Sequence, residues 1–230
     1  MRRSRLLPAL ALAASAAVLL GADFWHRKEF ASWAEKELDK ILTDSPWAKP
    51  VVLPLESFGL PLELAEEICR GCLACSLKTF SGDGGSVRVL TLVVRWQSAL
   101  PVKQALARLR HGEEAATSAM AAELLARVEP AYLVSVSGLP RRLLPIDPEK
   151  QRLQAQLRLK GRPSIDAYGV RLSDERQGCR LTFLFPRGKD AGHEITLADG
   201  QVRFHLNLGA VSLQRDFKLA DMVYGGKLEM

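Results

Sequence analysis

The sequence predicts an α+β fold, with antiparallel sheet covered by an N-terminal amphipathic helix and a central helical pair. Three observations carry that expectation. Phe30, Trp33, Ala34, Leu38, Ile41 and Leu42 recur at the i, i+3, i+4 spacing of one helix face. Val102 to Glu129 is rich in alanine and repeats the same spacing twice. From Cys179 to Phe185 and again from Val202 to Leu208, apolar and polar residues alternate, the period of a sheet with one buried face.

The chain opens with Met-Arg-Arg-Ser-Arg, an apolar run from Leu6 to Ala22, and Asp23, the order of an export signal. As a helix that run spans about 25 Å, short of the ~30 Å hydrocarbon core of a bilayer. Cleavage after Ala16 or Ala22 makes the protein periplasmic or secreted. The alternative is an uncleaved inner-membrane anchor of residues 6–22, in which case membrane contact comes only through that N-terminus. Ala22 stands where a lipidated cysteine would have to be, which excludes a lipid anchor. Losing Arg2, Arg3 and Arg5 with the leader lowers the net charge from +6 to +3. No basic patch interleaved with aromatics remains, so nucleic acid is not an expected partner.

With 230 residues, 47% of them apolar, the chain can build one or two domains with a core. The expected units are 1–22 (leader), 23–61 (helix plus proline-rich extended segment), 62–156 (mixed α/β half) and 157–230 (antiparallel β half, separate or continuous with the preceding part). The first helix ends before Pro46. Glu37, within its stripe, reads as a rim carboxylate; the competing reading is a buried acid of raised pKa. Pro50, Pro54 and Pro61 mark an edge strand, and Leu62 to Ile68 a short helix. Cys75–Phe80 and Ser86–Trp96 form a hairpin through the glycine-rich Ser81–Gly85 turn, which lacks phosphate-loop spacing. Strand Ser86–Trp96 is apolar on both faces, hence central. Ser98 reads as an N-cap ahead of Pro101, and Val102, Ala105, Leu106 and Leu109 as the buried face of that helix. Ala116, Met120, Leu124 and Val128 line one side of the next, from Glu113 to about Glu129, where Pro130 stops it. Tyr132–Ser137 is a strand, and Asp147-Pro148-Glu149 opens a helix to Leu157. Beyond it Val211, Leu213, Phe217 and Leu219 continue the sheet pattern, broken by Arg215.

Cys69, Cys72 and Cys75 form C-x2-C-x2-C, with Cys179 distant. That run suits iron–sulfur ligation, yet the fourth cysteine with its proline is missing. In an oxidising compartment disulfides or thiols are the expected state, so no cofactor is predicted; iron–sulfur or zinc on Cys69, Cys72, Cys75 and Cys179 is the alternative. His26, His111, His193 and His205 are scattered, without H-E-x-x-H or G-x-S-x-G. Asp166, Asp174 and Glu175 have generic spacing. No catalytic residue is assigned.

Trp33 with Ser45-Pro46-Trp47-Ala48, Arg95 through Val102, and Phe217 through Leu228 carry a resemblance. Together they are similar to stretches of exported, functionally uncharacterised bacterial proteins, some labelled GWxTD-domain proteins, although no Gly-Trp-x-Thr-Asp occurs here. The resemblance implies export and a shared fold, and transfers no catalytic residue. The leading expectation is a non-enzymatic envelope protein that binds a ligand or partner or has a structural role. Trp33 and Trp47 are its candidate partner surface, unless both lock the first helix onto the sheet. An exported enzyme without a recognisable motif and a cysteine-based metal or redox module are the alternatives.

Overall fold

A computed structural model describes residues 24–70, 74–79, 86–144, 153–175, 178–188, 192–209 and 211–230. The leader, Cys72, the Ser81–Gly85 turn and the opening of the helix expected from Pro148 lie outside these residues. Mixed helices and antiparallel sheets make the fold α+β.

In chain order the helices are α1 (Glu35–Thr43), α2 (Leu62–Arg70), α3 (Leu100–His111) and α4 (Ala119–Ala126). The strands are β1 (Ala48–Pro54), β2 (Cys75–Thr79), β3 (Ser86–Trp96), β4 (Ala131–Leu139), β5 (Ala155–Leu159), β6 (Ile165–Asp166), β7 (Gly169–Glu175), β8 (Gly178–Pro186), β9 (Gln201–Asn207), β10 (Ser212–Lys218), β11 (Val223–Tyr224) and β12 (Lys227–Leu228). A first sheet has the order β1-β3-β4-β8-β7, with β2 also paired to β3; a second has the order β10-β9-β5-β6. Every pairing is antiparallel.

The inner faces of the two sheets meet. Leu90, Leu92, Val94 and Trp96 of β3, Val134 and Val136 of β4, and Leu181, Phe183 and Phe185 of β8 are buried in one core with Leu157, Val202, Phe204, Leu206, Leu213 and Phe217. Ring pairs cross the interface: Phe183 to Phe204 at 5.9 Å and Trp96 to Phe217 at 5.9 Å, the second edge to face. Each large side chain so buried is worth ~1.5–3 kcal/mol. One side of this sandwich is closed by the chain changing sheets, because Ala167 N–H donates to Ala155 in one sheet and Tyr168 N–H to Leu184 in the other. On the other side Arg215, which broke the alternation, donates to the Pro50 carbonyl of β1. Edge strand β1 is thereby tied to β10, and the prolines sit where no partner strand needs their N–H.

Several local expectations shift. The Phe30–Leu42 stripe is interrupted: a 3-10 turn over Phe30–Ser32 precedes α1, and the chain is extended at Trp33 and Ala34. Glu37 causes the restart by accepting the Ala34 N–H at 2.9 Å, the carboxylate half of a capping box. It also pairs with Lys28 and is a rim carboxylate; although burial opposes ionisation, these bonds hold it below the usual carboxylate range. Ser98 is no N-cap, since its hydroxyl accepts the Leu133 N–H. The α3 N-terminus is met instead by Glu229, whose Oε2 accepts the Leu100 N–H at 3.1 Å. The second central helix breaks at Thr117 and restarts on Ser118, whose Oγ caps Ala121 N–H. That shift buries Ala121 and leaves Met120 and Val128 73% and 87% exposed. Leu157 lies in β5 rather than in a helix, because Leu157 and Leu159 face the core between Phe204 and Val202.

Candidate functional site

The two tryptophans that suggested a partner surface are fully buried. Trp33 packs edge to face on Phe24 at 5.8 Å and donates Nε1 to the Lys28 carbonyl. Trp47 sits beside Trp96, whose N–H donates to the Trp47 carbonyl at 2.9 Å, and its ring meets Trp25 and Tyr224. Neither ring reaches solvent, because sealing the end of the sandwich buries more apolar area than display would. The stretches Ser45–Ala48, Arg95–Val102 and Phe217–Leu228 therefore meet in one structural junction.

Cys69 belongs to α2, and Cys75 lies on β2 opposite Leu90. Cys179 is buried on β8, with Sγ 3.6 Å from Asp174 Oδ1. Burial, followed by Asp174, pushes the Cys179 thiol up, away from the thiolate that a metal or redox role needs. Among the described residues no three His, Cys, Asp or Glu side chains group as a metal site.

His205 stands in one row with Gln156 and Asp166 across β9, β5 and β6, while Asp174 and Glu175 lie at the end of β7 in the other sheet. One pair has a catalytic look: Ser212 Oγ lies 2.8 Å from His205 Nε2. The other ring nitrogen, Nδ1, faces Arg158 at 3.3 Å, and an arginine only donates. Neutral His205 thus carries its proton on Nε2 and donates to Ser212, the reverse of the polarity that activates a serine. Burial and then Arg158 hold the His205 pKa down.

A buried charge instead marks the outer face of the first sheet. Arg95 on β3 is 7% exposed and points away from the sandwich core. Its terminal nitrogens donate to the Leu42 carbonyl at 3.2 Å and to Ser137 Oγ at 3.3 Å, while Nε has no partner. Leu42 belongs to the last turn of α1, where unpaired carbonyls carry partial negative charge. The neighbouring carbonyl of Ile41 is taken by Ser45 Oγ at 2.7 Å and that of Lys40 by Asp44 N–H. Sequence position alone aims Arg95 outward, as β3 alternates; what no spacing revealed is that α1 ends against it. Burial, then Arg180, lowers the Arg95 pKa to about 10, still charged at neutral pH.

Strand register places Ser135, Thr182 and Arg171 in the row that begins at Arg95, and Ser137 and Arg180 in the next. Arg180 is paired with Glu175. Arg95, Thr91, Val93, Ser76, Ser137 and Glu175, with Leu42 and Thr43 of α1, line a cleft of about 370 Å³. Gly138 shapes its floor: at φ 87° it carries the β4 bulge, and a Cβ there would come 3.2 Å from the Thr91 carbonyl. Larger clefts lie elsewhere. One of about 600 Å³ follows the corner at Ala167–Gly169 but offers a single carboxylate, Asp166, and no buried charge. The other buried cation, Lys103, is spent on the Arg127 carbonyl that ends α4.

Comparison with protein-family models, with curated proteins and with solved structures finds no match to this chain.

Proposed function

We propose that this chain is an exported, non-enzymatic protein of the bacterial envelope that binds a ligand in the Arg95 cleft. In this reading α1 and the α3–α4 pair act as the cover of the first sheet, and the end of α1 forms one wall of the site. The observation that carries it is the buried Arg95 guanidinium, which lines a cleft and, among the described residues, has no carboxylate bonded to it. A charge taken out of water is costly unless compensated, and here the protein supplies one carbonyl and one hydroxyl. Support for export is the leader-like Met1–Ala22 segment. Among the described residues no helix is long and apolar enough to cross a membrane. The polarity of the Ser212–His205 pair speaks against acyl-transfer chemistry there.

The test is expression of the full chain with its leader, followed by fractionation and native mass spectrometry of the envelope fraction. A product starting after Ala16 or Ala22 and carrying a small ligand is expected. Val93→Trp, which fills the cleft, should lose that ligand while keeping the far-UV circular dichroism and the cooperative unfolding of the parent. Recovery of the intact chain from the cytosol overturns export, and a Val93→Trp protein that keeps the ligand overturns the site.

A further inference from the structure

We infer that the Arg95 cleft takes a compact oxyanion, a carboxylate or a tetrahedral phosphate or sulfate group. The inference rests on the reading of the cleft as a ligand site and adds its chemistry. Charge gives the first argument. Among the described residues Arg95 and Glu175 are the charged groups that line the cleft, Arg180 stands beside them, and Glu175 is already paired with Arg180. The balance at the cleft is positive, and the partial charge of the α1 carbonyl end offsets it only in part. An anion supplies both the acceptors and the countercharge that the guanidinium lacks; a neutral acceptor supplies no charge, and a cation supplies neither.

Hydrogen bonding gives the second. The guanidinium carries five N–H donors in a planar fork, and bonds to Leu42 O and Ser137 Oγ leave others unused, Nε among them. Ser137, Thr91 and Ser76 line the same walls, while the Thr43 hydroxyl donates to the Asp39 carbonyl at 2.7 Å. A fork and several hydroxyls match the several oxygens of one small oxyanion. Size and lining give the third. About 370 Å³ stands at the small end of ligand pockets, ~300–1,000 Å³. Among the described residues no aromatic ring lines the cleft, so they offer no platform on which a base or sugar ring would stack. Leu42, Ala74 and Val93 leave room for a short apolar tail.

The experiment is isothermal titration of the mature chain with sodium phosphate, sulfate, acetate and succinate, each against sodium chloride at equal ionic strength. Saturable binding of at least one oxyanion is expected, phosphate or sulfate indicating a tetrahedral group and acetate or succinate a carboxylate. Glu175→Gln removes the competing negative charge without touching Arg95 and should tighten that binding roughly threefold to tenfold. Val93→Trp should abolish it, and Arg95→Lys, which keeps charge but loses the fork, should weaken it at least as much as Glu175→Gln strengthens it. Oxyanion binding that survives Val93→Trp places the anion elsewhere and overturns the proposal. If no oxyanion binds, yet Val93→Trp still strips a ligand from the envelope-derived protein, the cleft stands and its anionic character fails. If neither occurs, both readings fail.

Discussion

The indole Nε1 of Trp47 donates to the carbonyl of Glu229 at 3.1 Å, joining the turn before β1 to a residue 182 positions later. The same Glu229 caps α3 through its carboxylate, so one residue serves a buried ring and a helix end. Trp47→Phe keeps most of the packing but removes the donor, and should cost about 1–3 kcal/mol in urea unfolding, the penalty of an orphaned buried acceptor. Trp47→Ala should cost about 3–5 kcal/mol, with an unchanged m-value. Equal losses for the two variants would show that the hydrogen bond, and not the ring, carries the effect.

The restart of the second central helix at Ser118 makes opposite forecasts for adjacent residues. Met120→Gln, on the solvent side, should change stability by no more than about 0.5 kcal/mol. Ala121→Leu, one position on and buried, should overpack and cost about 1–3 kcal/mol. Thermal unfolding of the two variants would expose a register error at once if the order were reversed.

Asp199 accepts the Thr196 N–H at 2.8 Å and the Arg162 guanidinium at 2.7 Å. Burial alone would raise its pKa, but these bonds outweigh burial and hold its carboxyl below the usual range. A carboxylate depressed in the folded state adds stability that is present above its unfolded pKa of about 3.9 and lost as pH falls through the folded value. Asp199→Asn should therefore lower Tm at pH 7, and the gap to the parent should close on acidification below about pH 4. A gap that widens in acid would contradict the assigned direction.

His205 should titrate below ordinary histidine and, when neutral, hold its proton on Nε2. Arg158→Gln removes the second cause of the shift, after burial, and should move the midpoint upward. Carbon and nitrogen NMR shifts of the ring report both tautomer and midpoint. A proton found on Nδ1 would restore Ser212 as a candidate nucleophile.

Much of the architecture was legible along the chain because its physics is local. The alternation of Leu181, Phe183 and Phe185 with Arg180, Thr182 and Leu184, and of Val202, Phe204 and Leu206 with Arg203 and His205, requires strands with one buried face. Pro50 and Pro54 forced β1 to the edge, and Cys75–Thr79 and Ser86–Trp96 pair antiparallel, as the two runs of the expected hairpin required. Helix boundaries were less legible. Whether Trp33 belongs to α1 turns on the local capping bond from Ala34 to Glu37, and whether Ser98 or Glu229 meets the start of α3 turns on a hydrogen bond to a residue far along the chain.

Arg215 and Arg95 show where local pattern runs out. On a strand each looked like an exception or an ordinary outward charge, because alternation says which face a side chain takes but not what stands opposite. Folding set the Pro50 carbonyl against Arg215 and the last turn of α1 against Arg95. Periodicity along the chain thus settled which residues are buried together. Electrostatic partners, and with them the cleft that holds buried Arg95, follow from long-range contacts, since Coulomb and hydrogen-bond energies depend on distance in space and not on separation in sequence.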